Sequence, residues 1–374
     1  MDKIVKSVLN LQVLTATKFP VGLQSRVEDV IRTIKNKSSQ VCTIAICGMD
    51  GSGKTTLAKA IYRQIHGSFT EKSFMEDIAQ VSRARGGVQL KEQLLSDVLK
   101  TKVEIDSVEM GTSMIRKRLS GKRVLIVLDE VDLYCPLLID LWESRAWFGE
   151  GTVIIITTRD EGLLKIHQVD SVFRIKLNEN ESLELLSWHA FREARPKEEY
   201  YFVLARIVVA YCRGLPLVLE VIGTYLYERT KEEWNRILLR LESIALNEVP
   251  QILKISFHGL HSEMEQDLFL DVCSFFVGKG RAYVTNILNG CGVDADSGIR
   301  VLIKRSLIKV KRNNKIGMHP LIQEMGREII RNISEMERQV RFVDGEYVLT
   351  DNSVRLFFIC GFQNFSLKCF LSHF

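Results

Sequence analysis

Lys54 and Thr55 close an octapeptide, Gly48-Met49-Asp50-Gly51-Ser52-Gly53-Lys54-Thr55, that fits a phosphate-cradling loop at each position such a loop requires. Glycines let backbone N–H groups turn inward around phosphate oxygens, and a helix behind the loop adds the positive end of its dipole. Lys54 is expected to reach β- and γ-phosphates, and the Thr55 hydroxyl to sit on Mg²⁺. The cofactor-binding set read from this stretch is Gly48, Met49, Gly51, Ser52, Gly53, Lys54, Thr55 and Thr56. A glycine-rich turn without function would share the composition but not the flanks. An apolar β-branched run, Val41–Ile46, precedes the loop, and a helical pattern, Thr56–Ile61, follows it.

A phosphate loop needs a carboxylate to hold its metal. The run Lys122–Glu130 supplies one at the end of an apolar strand. Asp129 is the expected Mg²⁺ ligand, with Thr55, and Glu130 could orient or deprotonate an attacking water. The run Gly151–Asp160 repeats the design, an apolar strand ending in Thr157-Thr158-Arg159-Asp160. An arginine at the carboxyl edge of a sheet can sense a γ-phosphate; the bland alternative is a surface salt bridge to Asp160.

These groups need a sheet to carry them. Strands are expected at Val41–Cys47, Ser73–Ile78, Val124–Leu128, Val153–Thr157 and Val172–Leu177. Between them run helical patterns such as Leu90, Leu94, Leu95, Val98 and Leu99. Near-continuous apolar strands suit a parallel sheet covered on both faces, so the class is α/β, doubly wound. After Asn178 the period becomes helical, and strand signals return only near residue 303. Helices, then Ser306–Val310, a turn at Asn313-Asn314, Lys315–Met318 and a last helix from Pro320 read as a winged helix.

The chain has 374 residues, 46% hydrophobic and 26% charged, which suits two or three ordinary globular units. A net charge of +5 is too weak to imply nucleic acid by itself. Eight scattered cysteines form no CxxC pair, so buried free thiols in a reducing compartment are expected rather than disulfides or zinc. No run of eighteen apolar residues and no secretory pattern occur, which leaves the cytoplasm as the default. Arg300, Lys304, Arg305, Lys309, Lys311, Arg312 and Lys315 form an acid-free basic stretch on the expected wing, a solvated face before it is a DNA contact. Pro216, in Gly214-Leu215-Pro216-Leu217, reads as a first-turn proline. His319 could donate to a phosphate or be structural.

The ordered blocks together resemble the NB-ARC module of plant intracellular immune receptors. They are Val21–Arg26, the phosphate loop, Leu128–Asp132, Thr157–Asp160, Gly214–Leu217 and Met318-His319. Asp132 and the block Phe269–Phe276 resemble the TIR-type class. The likeness runs from about residue 10 to residue 352 and implies a STAND/AAA+-like P-loop NTPase domain, a small helical domain and a winged-helix domain. The matching division is a connector at 1–20, the nucleotide domain at 21–178, helices at 179–248, the winged helix at 249–335 and an irregular tail at 336–374. It implies an ADP-bound resting state that exchanges ADP for ATP, with weak hydrolysis as the reset. By the family pattern Val21 and Arg26 lie near the adenosine, Pro216 packs on adenine, Arg159 senses the γ-phosphate and His319 contacts the ADP β-phosphate.

Three departures accompany the likeness. No TIR domain is expected, hence no NAD cleavage; no leucine-rich repeats are expected; and the family's Met-His-Asp reads Met318-His319-Pro320. Val354-Arg355 can be encoded as GTAAGA, a splice-donor-like hexamer, which would make the tail translated intron. Expected partners are nucleotide and, through this module, full-length receptors or a second copy. The rivals are an adaptor that binds such receptors, a DNA-binding regulator using the basic wing, and a metabolic kinase. A kinase lacks its arginine-bearing lid between residues 55 and 125.

Overall fold

The computed structural model describes residues 17–343 except 144, 168, 245–247, 291–292 and 312. Arg312, Cys291, most of the expected connector and the expected intron-derived tail therefore lie outside the described residues. The described residues fall into two compact units: those up to 185 with 214–217, and 186–213 with those from 218 onward.

In the first unit five parallel strands run in the order β2-β3-β4-β1-β5: β1 Cys42–Cys47, β2 Glu71–Met75, β3 Val124–Leu128, β4 Val153–Thr158 and β5 Ser171–Arg174. Every residue of β1, β3 and β4 is buried. Alternation then divides them between two cores. Ala45, Ile126, Leu128, Ile154 and Ile156 face helices α3 (Ile78–Leu99), α4 (Val108–Leu119) and α5 (Pro136–Glu143). Ile44, Ile46, Leu125, Val127 and Ile155 face α1 (Leu23–Asn36) and α2 (Lys54–Ile65). Two-sided burial is why these strands read as unbroken apolar runs.

The connectivity creates the site. From β1 the chain crosses through α2 to the edge strand β2, returns strand by strand to β4, and then passes to β5 on the other side of β1. The direction of winding reverses at β1, and open α/β sheets bind ligands at the carboxyl ends of strands at such a point. Because β4 lies between β1 and β3, the phosphate loop, Arg159 and Asp129 emerge from three neighbouring strands.

Both edge strands depart from expectation. β2 starts earlier, at Glu71-Lys72, because a half-buried edge tolerates polar residues; Ile78 instead opens α3 after Asp77, whose φ is 55°. β5 ends at Arg174, although Ile175 N–H still donates to Cys47 O at 2.8 Å and Leu177 N–H to Gly214 O at 3.2 Å. Cys42, Cys47, Cys135, Cys212 and Cys273 are buried free thiols, and burial pushes Cys42 up to about 11.

The second unit is helical. It includes α8 (Glu199–Cys212), α9 from Val218 onward (Pro216–Leu226 in full) and α10 (Lys231–Glu242), which a Thr230/Glu233 capping box opens. Trp234 on α10 is buried, stacked on Phe191 at 5.3 Å and edge-on to Tyr201 at 5.5 Å. There follow α11 (Val249–His258), α12 (Glu263–Asp271) with a π-turn over Val272–Phe276, α13 (Arg281–Gly290) and α14 (Ala295–Lys304). An antiparallel pair, β6 Lys309–Val310 and β7 Ile316–Gly317, then leads to α15, Pro320–Val343. Residue 303 is helical, so the hairpin starts later than the sequence suggests, and α15 runs on past residue 335.

Candidate functional site

The loop after β1 can turn because Gly51 and Gly53 adopt φ of 79° and 96°, values that a side chain would strain. Gly53 is the residue before α2, whose first turn brings Lys54 and Thr55 to the carboxyl edge of the sheet. Lys54 is only 6% exposed, and its Nζ donates to the loop's own carbonyls, Gly48 O at 2.9 Å and Met49 O at 3.1 Å. Ser52 Oγ is buried with no hydrogen-bond partner. A buried hydroxyl left unsatisfied in the same loop as a cation whose hydrogen bonds go to carbonyls makes a cradle suited to an anion.

Asp129 sits at the end of β3 and is 1% exposed. Thr55 Oγ1 donates to its two oxygens at 3.0 and 2.9 Å, and Thr157 Oγ1 donates to Oδ1 at 2.7 Å. Burial raises the Asp129 carboxyl above the usual range, while the bonds from Thr157 and Thr55 pull the other way. Glu130 follows with φ of 57°, its N–H bonded to Thr157 Oγ1 at 2.8 Å. Its carboxyl is raised too, first by burial and then by the neighbouring carboxylates of Asp129, Asp77 and Asp50.

Asp160, the bland alternative partner for Arg159, has a local task of its own. Asp160 caps the short helix α6 (Glu161–Ile166), accepting from Gly162 N–H at 2.7 Å. Arg159 Nη1 donates to Asp50 Oδ2 of the phosphate loop at 2.8 Å. Arg26 is committed as well. It forms a two-pronged bond to Glu181 at 2.7 Å from each nitrogen, and it also donates to Gly22 O and Lys176 O. That pair fixes the half-buried Val21 segment to the start of α7 (Glu179–Ala190) and holds the Glu181 carboxyl below its usual range. The Gly214–Leu217 segment belongs to this unit. Leu217 N–H donates to Gly51 O at 3.2 Å, and a Cβ built on Gly53 would lie 3.9 Å from Pro216. Pro216 is the first residue of α9, as its sequence reading expects.

His319 lies in the second unit, at the start of α15, where its Nδ1 accepts from Leu321 N–H at 3.2 Å. Pro320 takes the first helical position, which needs no N–H. Lys309 on the hairpin pairs with Glu220 of α9 at 3.0 Å, so the acid-free stretch finds its acid elsewhere in the chain.

Sequence reasoning misses one polar cluster altogether. Lys91 of α3 is fully buried, its Nζ 2.6 Å from Asp140, 2.6 Å from Thr112 Oγ1 and 3.0 Å from Val108 O. A partial signal is Gly111, where a Cβ would meet the Lys91 stem at 2.8 Å.

Among the described residues no three His, Cys, Asp or Glu side chains gather as a metal cage. One carboxylate and one hydroxyl, Asp129 and Thr55, converge instead. Those oxygens are of the kind Mg²⁺ takes, and Asp129 and Thr55 would hold it beside bound phosphates.

The NB-ARC domain family matches residues 23–195, and the family described as disease resistance protein Roq1-like, winged-helix domain, matches residues 262–334. Disease resistance protein RUN1 of Vitis rotundifolia is 41% identical over 314 residues, covering 83% of this chain and 23% of its own length. TMV resistance protein N of Nicotiana glutinosa is 34% identical over 343 residues, covering 89% of this chain and 30% of its own. This chain therefore spans less than a third of either relative. Among solved structures, a signal transduction ATPase with numerous domains (STAND) and a tetratricopeptide repeat sensor from Pyrococcus horikoshii aligns at TM-score 0.47 and 19% identity, covering 80% of this chain and 42% of that one. No helix among the described residues is long and apolar enough to cross a membrane. The chain belongs to the NB-ARC family, a nucleotide-binding module joined here to a Roq1-like winged helix, and its homologues are plant disease resistance proteins.

Proposed function

We propose that this chain is the ADP/ATP switch of a plant intracellular immune receptor of the TIR-type class, resting with ADP, activated by exchange for ATP and reset by slow hydrolysis. The observation that carries the reading is the convergence of Lys54, Thr55, Asp129 and Thr157 at one sheet edge, where the two threonine hydroxyls donate to Asp129 at 2.7–3.0 Å and Lys54 donates to loop carbonyls. In this reading Lys54 exchanges the Gly48 and Met49 carbonyls for β- and γ-phosphate oxygens. Thr55 and Asp129 would hold Mg²⁺, whose charge would offset that of the phosphates. Glu130, half-buried with a raised carboxyl, positions the attacking water and accepts its proton. Pro216 and Val21 pack the adenine end, and Arg26 acts by fixing Val21 through Glu181. His319 reads the β-phosphate from the winged-helix region, within the division 21–178, 179–248 and 249–335.

A switch of this kind binds tightly and turns over slowly. Calorimetry with Mg²⁺ is expected to give one ADP site, weakened by EDTA. Single-turnover hydrolysis of ATP should fall far below the roughly 1–100 s⁻¹ of kinases. Failure to bind either nucleotide, or fast phosphoryl transfer to a small acceptor, would contradict the proposal.

A further inference from the structure

The phosphate-loop pattern leaves its third position free, and in this chain it is Asp50. Its side chain bridges two cations. Oδ2 accepts from Arg159 Nη1 at 2.8 Å, and Oδ1 lies 3.6 Å from Lys54 Nζ. Lys54 is nearly buried, Asp50 is 28% exposed and Arg159 reaches into solvent at 69%. One carboxylate thus engages both positive groups that the nucleotide reading assigns to the terminal phosphate. The surroundings are already rich in anions: Asp129, Asp77 and Asp50 all act on Glu130.

We propose, on the nucleotide-switch reading above, that Asp50 is a specificity-determining residue: an internal counter-ion that holds Lys54 and Arg159 where a γ-phosphate would otherwise take them, so that the loop favours a nucleoside diphosphate over a triphosphate. The two nucleotides differ in the contacts they can make. A diphosphate can use Lys54 and the loop amides while Arg159 stays with Asp50. A triphosphate must draw Arg159 away and then lie beside the carboxylate it has displaced. A ligand shifts a preference only by interactions that differ between the states compared, and this one differs by a full charge. An isosteric amide at residue 50 keeps the loop's shape and removes that charge.

The test is equilibrium binding of ADP and of AMP-PNP, with Mg²⁺, to the full chain and to Asp50→Asn, Arg159→Gln and the double variant. Asp50→Asn is expected to tighten AMP-PNP about tenfold, the scale of one partly exposed charge contact. ADP should stay within about twofold, which also reports an intact loop. In the Arg159→Gln background the gain should shrink, and in any background it should shrink with added salt. An unchanged AMP-PNP-to-ADP ratio, an equal gain for both nucleotides, or a loss of ADP binding in Asp50→Asn each overturns the inference alone. A wild-type chain that binds neither nucleotide overturns the switch reading, and the role of Asp50 with it.

Discussion

Lys54 and Lys91 are both withdrawn from solvent in the first unit, one 6% exposed and the other fully buried, yet their surroundings commit them differently. Lys91 is met by side chains from two other helices, Asp140 of α5 and Thr112 of α4, and by the Val108 carbonyl. Its charge is offset by a carboxylate and two oxygens supplied by packed helices of the same unit. Lys54 is met by two carbonyls of its own loop and, at 3.6 Å, by Asp50. Neutral carbonyls are weaker partners for an ammonium than phosphate oxygens, so they can be exchanged. A buried cation is therefore not the mark of a site. The mark is a buried cation at the carboxyl edge of the sheet whose partners a ligand can replace.

Breaking the Lys91 pair should have the largest effect. Lys91→Ala leaves Asp140 without its cation and is expected to cost about 3–5 kcal/mol in urea unfolding, while Lys91→Met with Asp140→Leu recovers most of it. A loss below about 1 kcal/mol would remove the contrast between the two lysines. Lys54→Ala should do the reverse. Stability without ligand stays within about 1 kcal/mol, and ADP affinity falls about 100-fold, as befits lost charge-assisted bonds.

Asp129→Asn sharpens the comparison. The raised carboxyl means that burial disfavours the charged form in the folded state, so replacing it should raise the ligand-free unfolding midpoint while abolishing the effect of Mg²⁺ on nucleotide affinity. A lowered midpoint with Mg²⁺ dependence retained would contradict this assignment. The smallest effect concerns acid. His167, packed on Trp142 at 5.1 Å, has its pKa lowered from 6.5 by burial. The unfolded chain then takes up the proton first, so this contribution is complete above pH 6.5 and is lost as pH falls from there through the lower folded-state value. Unfolding midpoints at pH 7.5 and 5.5 should converge in His167→Gln relative to wild type, and an identical slope would discount the histidine.

The central strands were legible in the sequence because both their faces are covered. Val124–Leu128 is an unbroken apolar run, and it forms β3 at those bounds. Edge strands were not, since Glu71 and Lys72 at a half-buried edge look like loop, and Ile175 and Leu177 look like strand but follow its end. The loop and the strand-end carboxylate could be read locally because their spacing is itself the signal. Pairings distant in sequence could not: Arg26 with Glu181, Arg159 with Asp50 and Lys91 with Asp140 depend on how the sheet winds. Adjacency offered Asp160 as one partner for Arg159, and only the structure shows that this carboxylate also caps a helix N-terminus.

The most direct test of the central claim is the nucleotide carried by the full chain purified without added nucleotide, released by denaturation and quantified by chromatography, with Lys54→Ala as the control. The account predicts near-stoichiometric ADP in the wild type and none in the variant. A folded wild-type chain that carries no nucleotide, or one whose bound nucleotide survives Lys54→Ala, would contradict it.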